Sequence, residues 1–553
     1  MKKLIPIFSL IAIVLFGGLP AVAADTLEVD TSKIMRDLQP ASSGRGILFK
    51  ENMEALFPIG YISYTNSIRN KPDKSPIPPE EIDWKLCSSW SDSKCLSSPK
   101  LGLEAYIVLG SCINETEIGC VEYLKAFDSN GVEKKLTLVG PAFKGVNDIP
   151  QSDELGIPRS SSRPIYEDER GSLYLVRASL HVSFAAESSS KPVFSFSADV
   201  TPVLKIANPA IERPEAVELP NNSTGKGVVT VRPTREECLA IDVGICYAAL
   251  RADTDSQFSL SVRVPTGVNG WLNGRFSEPK ISMAQKNVKS QVITVTAKPA
   301  KMPVAGGWAN YSEFPDKFFD SVLNFGFYKR DPQISQSIVV SPSQGDNGFK
   351  IYALWEPYLK DKALTTLTTW SFATAMNSGV QFCSTSQNEI SGIVASNASV
   401  YSSRPPDWDA STSTLSYQVA SPHYDENGKE NVGTYTLAMS LNAIRCLYGQ
   451  SSLPPSATVS VGYGAEVVTV ATITLKSDSN WVYFAANGFH YSSPTIKVKF
   501  AGSTKPAASG NIAPTAPGAK IQWCAKGNLK KKVTALKPAC PAGYKKIADP
   551  TAR

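Results

Sequence analysis

Apolar and polar residues alternate along several short stretches of this chain, and the alternation has the period of a β-strand. "FSLSVRV" (Phe258–Val264) and "VFSFSADV" (Val193–Val200) both show it, because successive side chains leave opposite faces of a pleated backbone. In "TIKVKF" (Thr495–Phe500) the same parity puts Ile496, Val498 and Phe500 on one face and Lys497 and Lys499 on the other. That is the pattern of a strand with one face to solvent. Denser β-branched runs, "GVVTVRP" from Gly227 and "EVVTVATITL" from Glu466, predict more central strands. Helical spacing is sparse. "PDKFFDSVLNF" (Pro315–Phe325) carries a proline near its start and apolar residues at 318, 319, 322 and 323, which predicts one short amphipathic helix. "DSNG" at Asp128, "GDNG" at Gly345 and "DENG" at Asp425 have the residues of hairpin turns.

These elements predict a mainly β chain: multi-domain antiparallel β-sandwich-like modules, few short helices and a small disulfide-stapled C-terminal β-hairpin module. With 553 residues the chain is too long for one core. "ELPNNSTGKG" (Glu218–Gly227) and the Pro/Ala/Gly/Ser-rich stretch 502–519 read as linkers. The expected divisions are an N-terminal β domain at 25–215 and a β region at 216–300, which could belong to the next domain. A C-terminal β domain at 301–501, the linker and a small basic module at 520–553 follow. Residues 1–24 read as a signal peptide: Lys2 and Lys3, an apolar run, then Ala21-Val22-Ala23 as a small-x-small cleavage pattern. The other reading is a membrane anchor, but the run is short for a span of about 20 residues. The expected address is therefore extracellular, with attachment to a bacterial cell surface.

Ten cysteines bear on that address. Cys87 and Cys95 enclose seven residues, as do Cys112 and Cys120, and Cys238 and Cys246. Cys383 and Cys446 are far apart, and Cys524 and Cys540 close the tail. An even count in an exported chain reads as a disulfide framework. Structural zinc sites use tighter spacings, and His181, His423 and His490 are scattered, so metal ligation is the weaker reading. Connectivity among Cys87, Cys95, Cys112 and Cys120 stays open at this point. A pair between Cys383 and Cys446 would place both in one domain.

The net charge of +6 conceals an asymmetry: nine basic residues stand against Asp549 alone between Lys520 and Arg553, on a mildly acidic body. The tail segment "CAKGNLKKKVTALKPAC" (Cys524–Cys540) contains no acid. Lys526, Lys530, Lys531, Lys532, Lys537, Lys545 and Lys546, with Trp523 among them, are the candidate contacts for an anionic polymer. Without arginine between 520 and 552 the attraction is diffuse rather than shaped, which argues against specific nucleic-acid recognition.

The tail also carries a resemblance. Cys524, Lys526, Gly527, Lys531, Val533, Thr534, Pro538, Cys540, Pro541, Gly543, Tyr544, Lys545 and Lys546 follow the pattern C-x-K-G-x-x-x-K-x-V-T-x-x-x-P-x-C-P-x-G-Y-K-K. This ending, preceded by Leu415–Gly449 and the strands after it, resembles that of uncharacterised secreted proteins of actinobacteria. The resemblance implies an exported, surface-associated β protein and carries no activity with it.

Catalytic signatures are scarce. The chain has no H-E-x-x-H and no G-x-S-x-G motif. His423 and His490 are the histidines beside hairpin or strand segments that a dispersed triad could use. "DTDSQ" at Asp253 and "DENGKEN" at Asp425 cluster oxygens without the twelfth-position acid of a calcium loop. Trp271, Trp308, Trp408 and Trp523 sit in turn-like contexts where a ring could stack on sugar, although packing is the commoner use. The expectation is a non-enzymatic structural, adhesive or ligand-binding role with no cofactor, whose partner is an anionic cell-wall polymer or polysaccharide. The alternative is a secreted hydrolase of polysaccharide or protein with a dispersed active site.

Overall fold

The computed structural model describes residues 34, 37–38, 44–50, 59–65, 84–93, 102–141, 149–185, 191–207, 216–219, 228–231, 238–310, 336–340, 346–375, 390–402, 404–409, 411–412, 414–448, 457–463, 466–469, 472–477, 480–491, 495–500, 520–526, 529–535 and 545–547. The chain is mainly β. Two α-helices interrupt the strands among these residues, α1 (Asp346–Leu359) and α2 (Leu441–Tyr448).

A long, largely antiparallel layer runs through Trp84–Cys87, Tyr61–Thr65, Gly102–Val108, Leu173–Ala185, Val193–Ala207 and Ser371–Thr374. It continues through Gly270–Gln285, Ile390–Ser396, Val432–Ser440, Trp481–His490 and Thr472–Ser477. One junction in it, Gly270–Gln285 against Ile390–Ser396, is parallel. A shorter layer faces it, formed by Cys120–Phe127, Gln257–Pro265, the first half of Ser290–Asn310 and the second half of Gly270–Gln285. Between them lies the principal core, where Ile107, Leu180, Phe196, Leu260, Val295 and Trp370 are all buried. Gln257–Pro265 is buried along almost its whole length, so its alternation records chemistry rather than exposure: Ser259, Ser261 and Arg263 are inside too.

Two long strands tie the layers together. Gly270–Gln285 pairs in the long layer through its first residues and in the short layer through its last. The change comes between Arg275 and Phe276, and just beyond it the new ladder has a register shift between Ser277 and Lys280, where Glu278 has a left-handed φ of 52°. A bulge of this kind bends a strand out of one sheet and into another. Ser290–Asn310 goes on to pair with Thr365–Thr369 and Gly44–Phe49.

Each face of the next layer is also used. In Ile390–Ser396, Ile393 and Ala395 enter the principal core while Val394 enters a second one. That second core is closed by a six-stranded sheet containing Thr414–Ala420, Thr495–Phe500 and Ala457–Tyr463. Ile496 and Val498 are buried in it, as the alternation in "TIKVKF" predicts. Helix α1 covers a third cluster, laying Ile351, Tyr352, Trp355 and Leu359 on Ile47, Phe49, Ala305 and Ala309. These helix positions recur at the spacing of one helical face.

Several expectations change. "GDNG" is no hairpin turn: Asp346 opens α1. The run from Glu466 is two strands rather than one central strand. Glu466–Thr469 lies at the edge of the six-stranded sheet, and Thr472–Ser477 pairs with Trp481–His490 alone among the described strands. The run from Gly227 supplies Val228–Val231, which forms a two-stranded ribbon with Ala216–Leu219, so part of the expected linker is strand. β-branched density reports strand preference, and position in a sheet depends on partners far away in sequence. Ladders also cross the divisions expected at 215/216 and 300/301: Gly44–Phe49 pairs with 305–310, and Cys120–Phe127 with 257–263. The expected helix at 315–325, the signal region at 1–24 and the linker at 502–519 lie outside the described residues. Among the described residues no helix is long and apolar enough to cross a membrane.

Candidate functional site

The tail forms its own three-stranded sheet, with Lys520–Lys526 between Leu529–Ala535 and Lys545–Ile547. The register brings the predicted lysines together around the central strand. Trp523 stands opposite Lys532 and Ile547, Cys524 opposite Lys531 and Lys546, and Ala525 opposite Lys530 and Lys545. Lys526 pairs with Leu529 at the turn. Trp523, Lys530, Lys532 and Lys545 therefore share one parity of the register. Lys545 and Lys546 are exposed. Lys537 and Cys540 lie outside the described residues.

Two disulfides are local, Cys112–Cys120 and Cys238–Cys246, with Cα separations of 4.9 and 5.2 Å. This resolves the connectivity left open for Cys112 and Cys120. Cys87 and Cys446 are disulfide-bonded as well, while Cys95, Cys383 and Cys524 are cysteines of whose side chains nothing is described. Glu117 comes close to the Cys112–Cys120 pair. The sulfurs there are bonded to each other, and the carboxylate accepts from Arg159 at 2.9 Å and from the Ile113 N–H at 2.7 Å. It holds the loop. Arg263 fastens the same loop, donating through Nη1 to the carbonyls of Asn114, Glu115 and Glu117 and through Nε to Glu122 at 2.7 Å.

The turn carboxylates are likewise engaged. Asp425 Oδ1 accepts the N–H groups of Asn427 and Lys429, both at 2.8 Å, and Asp253 Oδ1 accepts that of Asp255 at 3.0 Å. His423 Nδ1 lies 2.7 Å from Asp361 Oδ2, and its backbone N–H donates to Asp361 Oδ1. Lys360 and Asp361 follow α1 with φ of 55° and 50°, so this pair braces a strained helix exit. His490 sits 3.4 Å from Glu430 at the surface. Trp271 is buried against Gly392, and Trp308 and Trp408 are half-buried among apolar neighbours. These three rings pack.

Sequence reasoning passed over two other places. On the polar side of the long layer, Tyr61, Tyr106 and His181 form a cross-strand row, and Ser63, Glu104 and Ser183 form the next. Ring centroids are 5.0 Å apart for Tyr61–Tyr106 and 4.7 Å for Tyr106–His181. Burial holds the Glu104 carboxyl above its usual range, pushes Tyr106 up to about 12 with help from Glu104, and lowers His181. Ser63 Oγ and His181 Nε2 are buried without a hydrogen-bond partner among the described residues. The signal was "GLEAYIV", an alternating strand whose outward positions are an acid and a phenol.

The second place is a cavity of about 370 Å³ where the two layers of the principal sandwich part. Its walls come from Gly270–Gln285, the start of Ile390–Ser396, and the first turns of α2 with the strand beside them. Gln285, Asn442 and Asn480 bring amides to it, and Arg445 is the one ionisable side chain in its lining. No pattern in the sequence joins these positions.

Compared with known proteins, no family model matches the chain and no curated protein does.

Proposed function

We propose that this is a secreted, cell-surface-associated, non-enzymatic β-rich protein with a structural, adhesive or ligand-binding role. Its basic tail makes contact with an anionic cell-wall polymer or polysaccharide. The observation that carries the reading is the tail register, which sets Trp523 at one parity with Lys530, Lys532 and Lys545. An aromatic residue and lysines at neighbouring register positions suit a polymer that offers sugar faces and regularly spaced anions. Attraction of this kind weakens as salt screens it over about 10 Å at 0.1 M. The resemblance to exported actinobacterial proteins belongs to the same reading. Separation of the tail sheet from the body also favours it: no described strand of the body pairs with Lys520–Lys526, Leu529–Ala535 or Lys545–Ile547.

The test compares cells expressing the full chain with cells expressing a chain ending at Gly502. The full chain is expected in the surface fraction and released by a molar-salt wash, and the shortened chain in the medium. Identical partition of the two, with salt releasing neither, would overturn the reading.

The second reading, a secreted hydrolase, draws on the row of Tyr61, Tyr106 and His181 beside Glu104. A half-buried acid whose hold on its proton is strengthened by burial, one cross-strand row from an imidazole, is a common provision for proton transfer. It predicts that hydrolysis of a polysaccharide or protein substrate by the purified chain falls at least about 100-fold in Glu104→Gln. Equal turnover by the two chains would discard it.

A further inference from the structure

We propose that the cavity between the two layers binds a carboxylated sugar, of the uronic acid class, through Arg445. The proposal stands on the body and does not depend on the tail. At about 370 Å³ the cavity lies in the range of small-ligand sites and accommodates one or two sugar rings. Arg445 makes no ion pair among the described residues, and no carboxylate lines the cavity with it. A single guanidinium offers a planar fork to one carboxylate, whereas a phosphate dianion ordinarily gathers more donors.

The remaining lining suits hydroxyl groups and C–H faces. Gln285 donates its Nε2 to the carbonyls of Asn287 and Ser290, which fixes the amide, and its Oε1 takes part in no hydrogen bond among the described residues. Asn442 and Asn480 add amides on the opposite wall, and Met283, Leu441 and Trp481 supply apolar surface.

The walls are preformed. The Tyr483 hydroxyl accepts from the Ile281 N–H at 3.1 Å and donates to the Ile281 carbonyl at 3.3 Å, clamping one wall to the other. On the helical wall, Ser440 Oγ accepts the Ala443 N–H at 3.2 Å, and the Asn480 carbonyl accepts that of Leu441 at 3.0 Å. Cys446, next to Arg445, is disulfide-bonded. Walls held in this way lose little freedom when a ligand arrives.

The test is calorimetric titration of the full chain with D-galacturonic acid and, separately, with D-galactose. The acid is expected to bind at least about tenfold more tightly, because only it completes a charge-assisted pair. Arg445→Ala should weaken the acid by about 10- to 100-fold and leave galactose unchanged, and Arg445→Lys should recover part of the loss. Arg445 is exposed, so the unfolding midpoint should not move. Ala284→Trp, which puts a bulky ring on an exposed lining position without altering charge, should abolish binding of both sugars. Replacing Lys530, Lys531 and Lys532 by Gln should leave sugar binding intact while reducing salt-releasable retention, so the two proposals fail separately. Equal affinity for the two sugars, wild-type affinity in Arg445→Ala, or undiminished binding in Ala284→Trp overturns this one.

Discussion

Buried arginines set much of the internal geometry at the scale of single residues. Arg163 donates to the Leu239 carbonyl at 2.7 Å, and Arg275 donates to the Ser396 and Ala398 carbonyls at 2.9 and 2.7 Å while lying 4.1 Å from the centre of the Tyr401 ring. Burial and the neighbouring Arg177 pull Arg163 down to about 9. Arg177 pairs with Asp199 at 3.0 Å, both almost fully buried. No periodicity marks these residues as internal, because arginine usually belongs to the surface. His181 leads to a prediction about pH. Its Nε2 is buried without a hydrogen-bond partner among the described residues, and burial lowers its affinity for a proton below the ordinary value of 6.5. The unfolded chain therefore binds more protons than the folded one below about pH 6.5, and stability falls as pH drops through that window. Glu104, raised by burial, acts in the opposite sense above its ordinary 4.5. His181→Gln is expected to flatten the loss of stability as pH falls below about 6.5, measured by urea midpoints; an unchanged slope would show that the ring is protonated without cost.

At the scale of elements, glycines opposite aromatic rings set the spacing of the central strands. Trp271 pairs with Gly392, and Gly433 with Phe489. A Cβ on Gly392 would meet the Trp271 ring at 2.3 Å, and one on Gly433 would meet the Phe489 ring at 2.1 Å. The ring lies over the space where a side chain would stand. Gly433→Val should destabilise the protein by about 1–3 kcal/mol through overpacking, and Phe489→Leu in the same chain should return part of it; additive losses in the urea midpoint would refute the pairing. Hairpin turns were legible because their chemistry is local. Gly131 and Gly428 have φ of 78° and 81° within "DSNG" and "DENG", where a glycine tolerates the left-handed region. "GDNG" contains the same residues but opens α1, since Ile351, Tyr352 and Trp355 beyond it find apolar partners on distant strands.

At the scale of the whole molecule, the N-terminal strands complete sheets built by residues 257–310. Gly44–Phe49 lies between Ser290–Asn310 and Gln336–Val340, and the second of these pairings is parallel. A chain comprising 25–215 alone would leave the Gly44–Phe49 and Cys120–Phe127 edges and half of the principal core uncovered. It should show no cooperative thermal transition and little amide dispersion by NMR. A sharp transition from that fragment would establish an N-terminal unit independent of the rest.

From the amino-acid sequence alone came the mainly β character, the strand at Thr495–Phe500 with its buried face, the turn glycines and the Cys238–Cys246 pair. All of these depend on contacts within a few residues, where alternation and turn chemistry suffice. Only the tertiary structure decided which strands are edges, where Gly270–Gln285 changes sheet, which polar residues are buried and which distant residues line the cavity with Arg445. Those outcomes depend on pairings across tens to hundreds of positions, set by how complementary faces fit when the layers close.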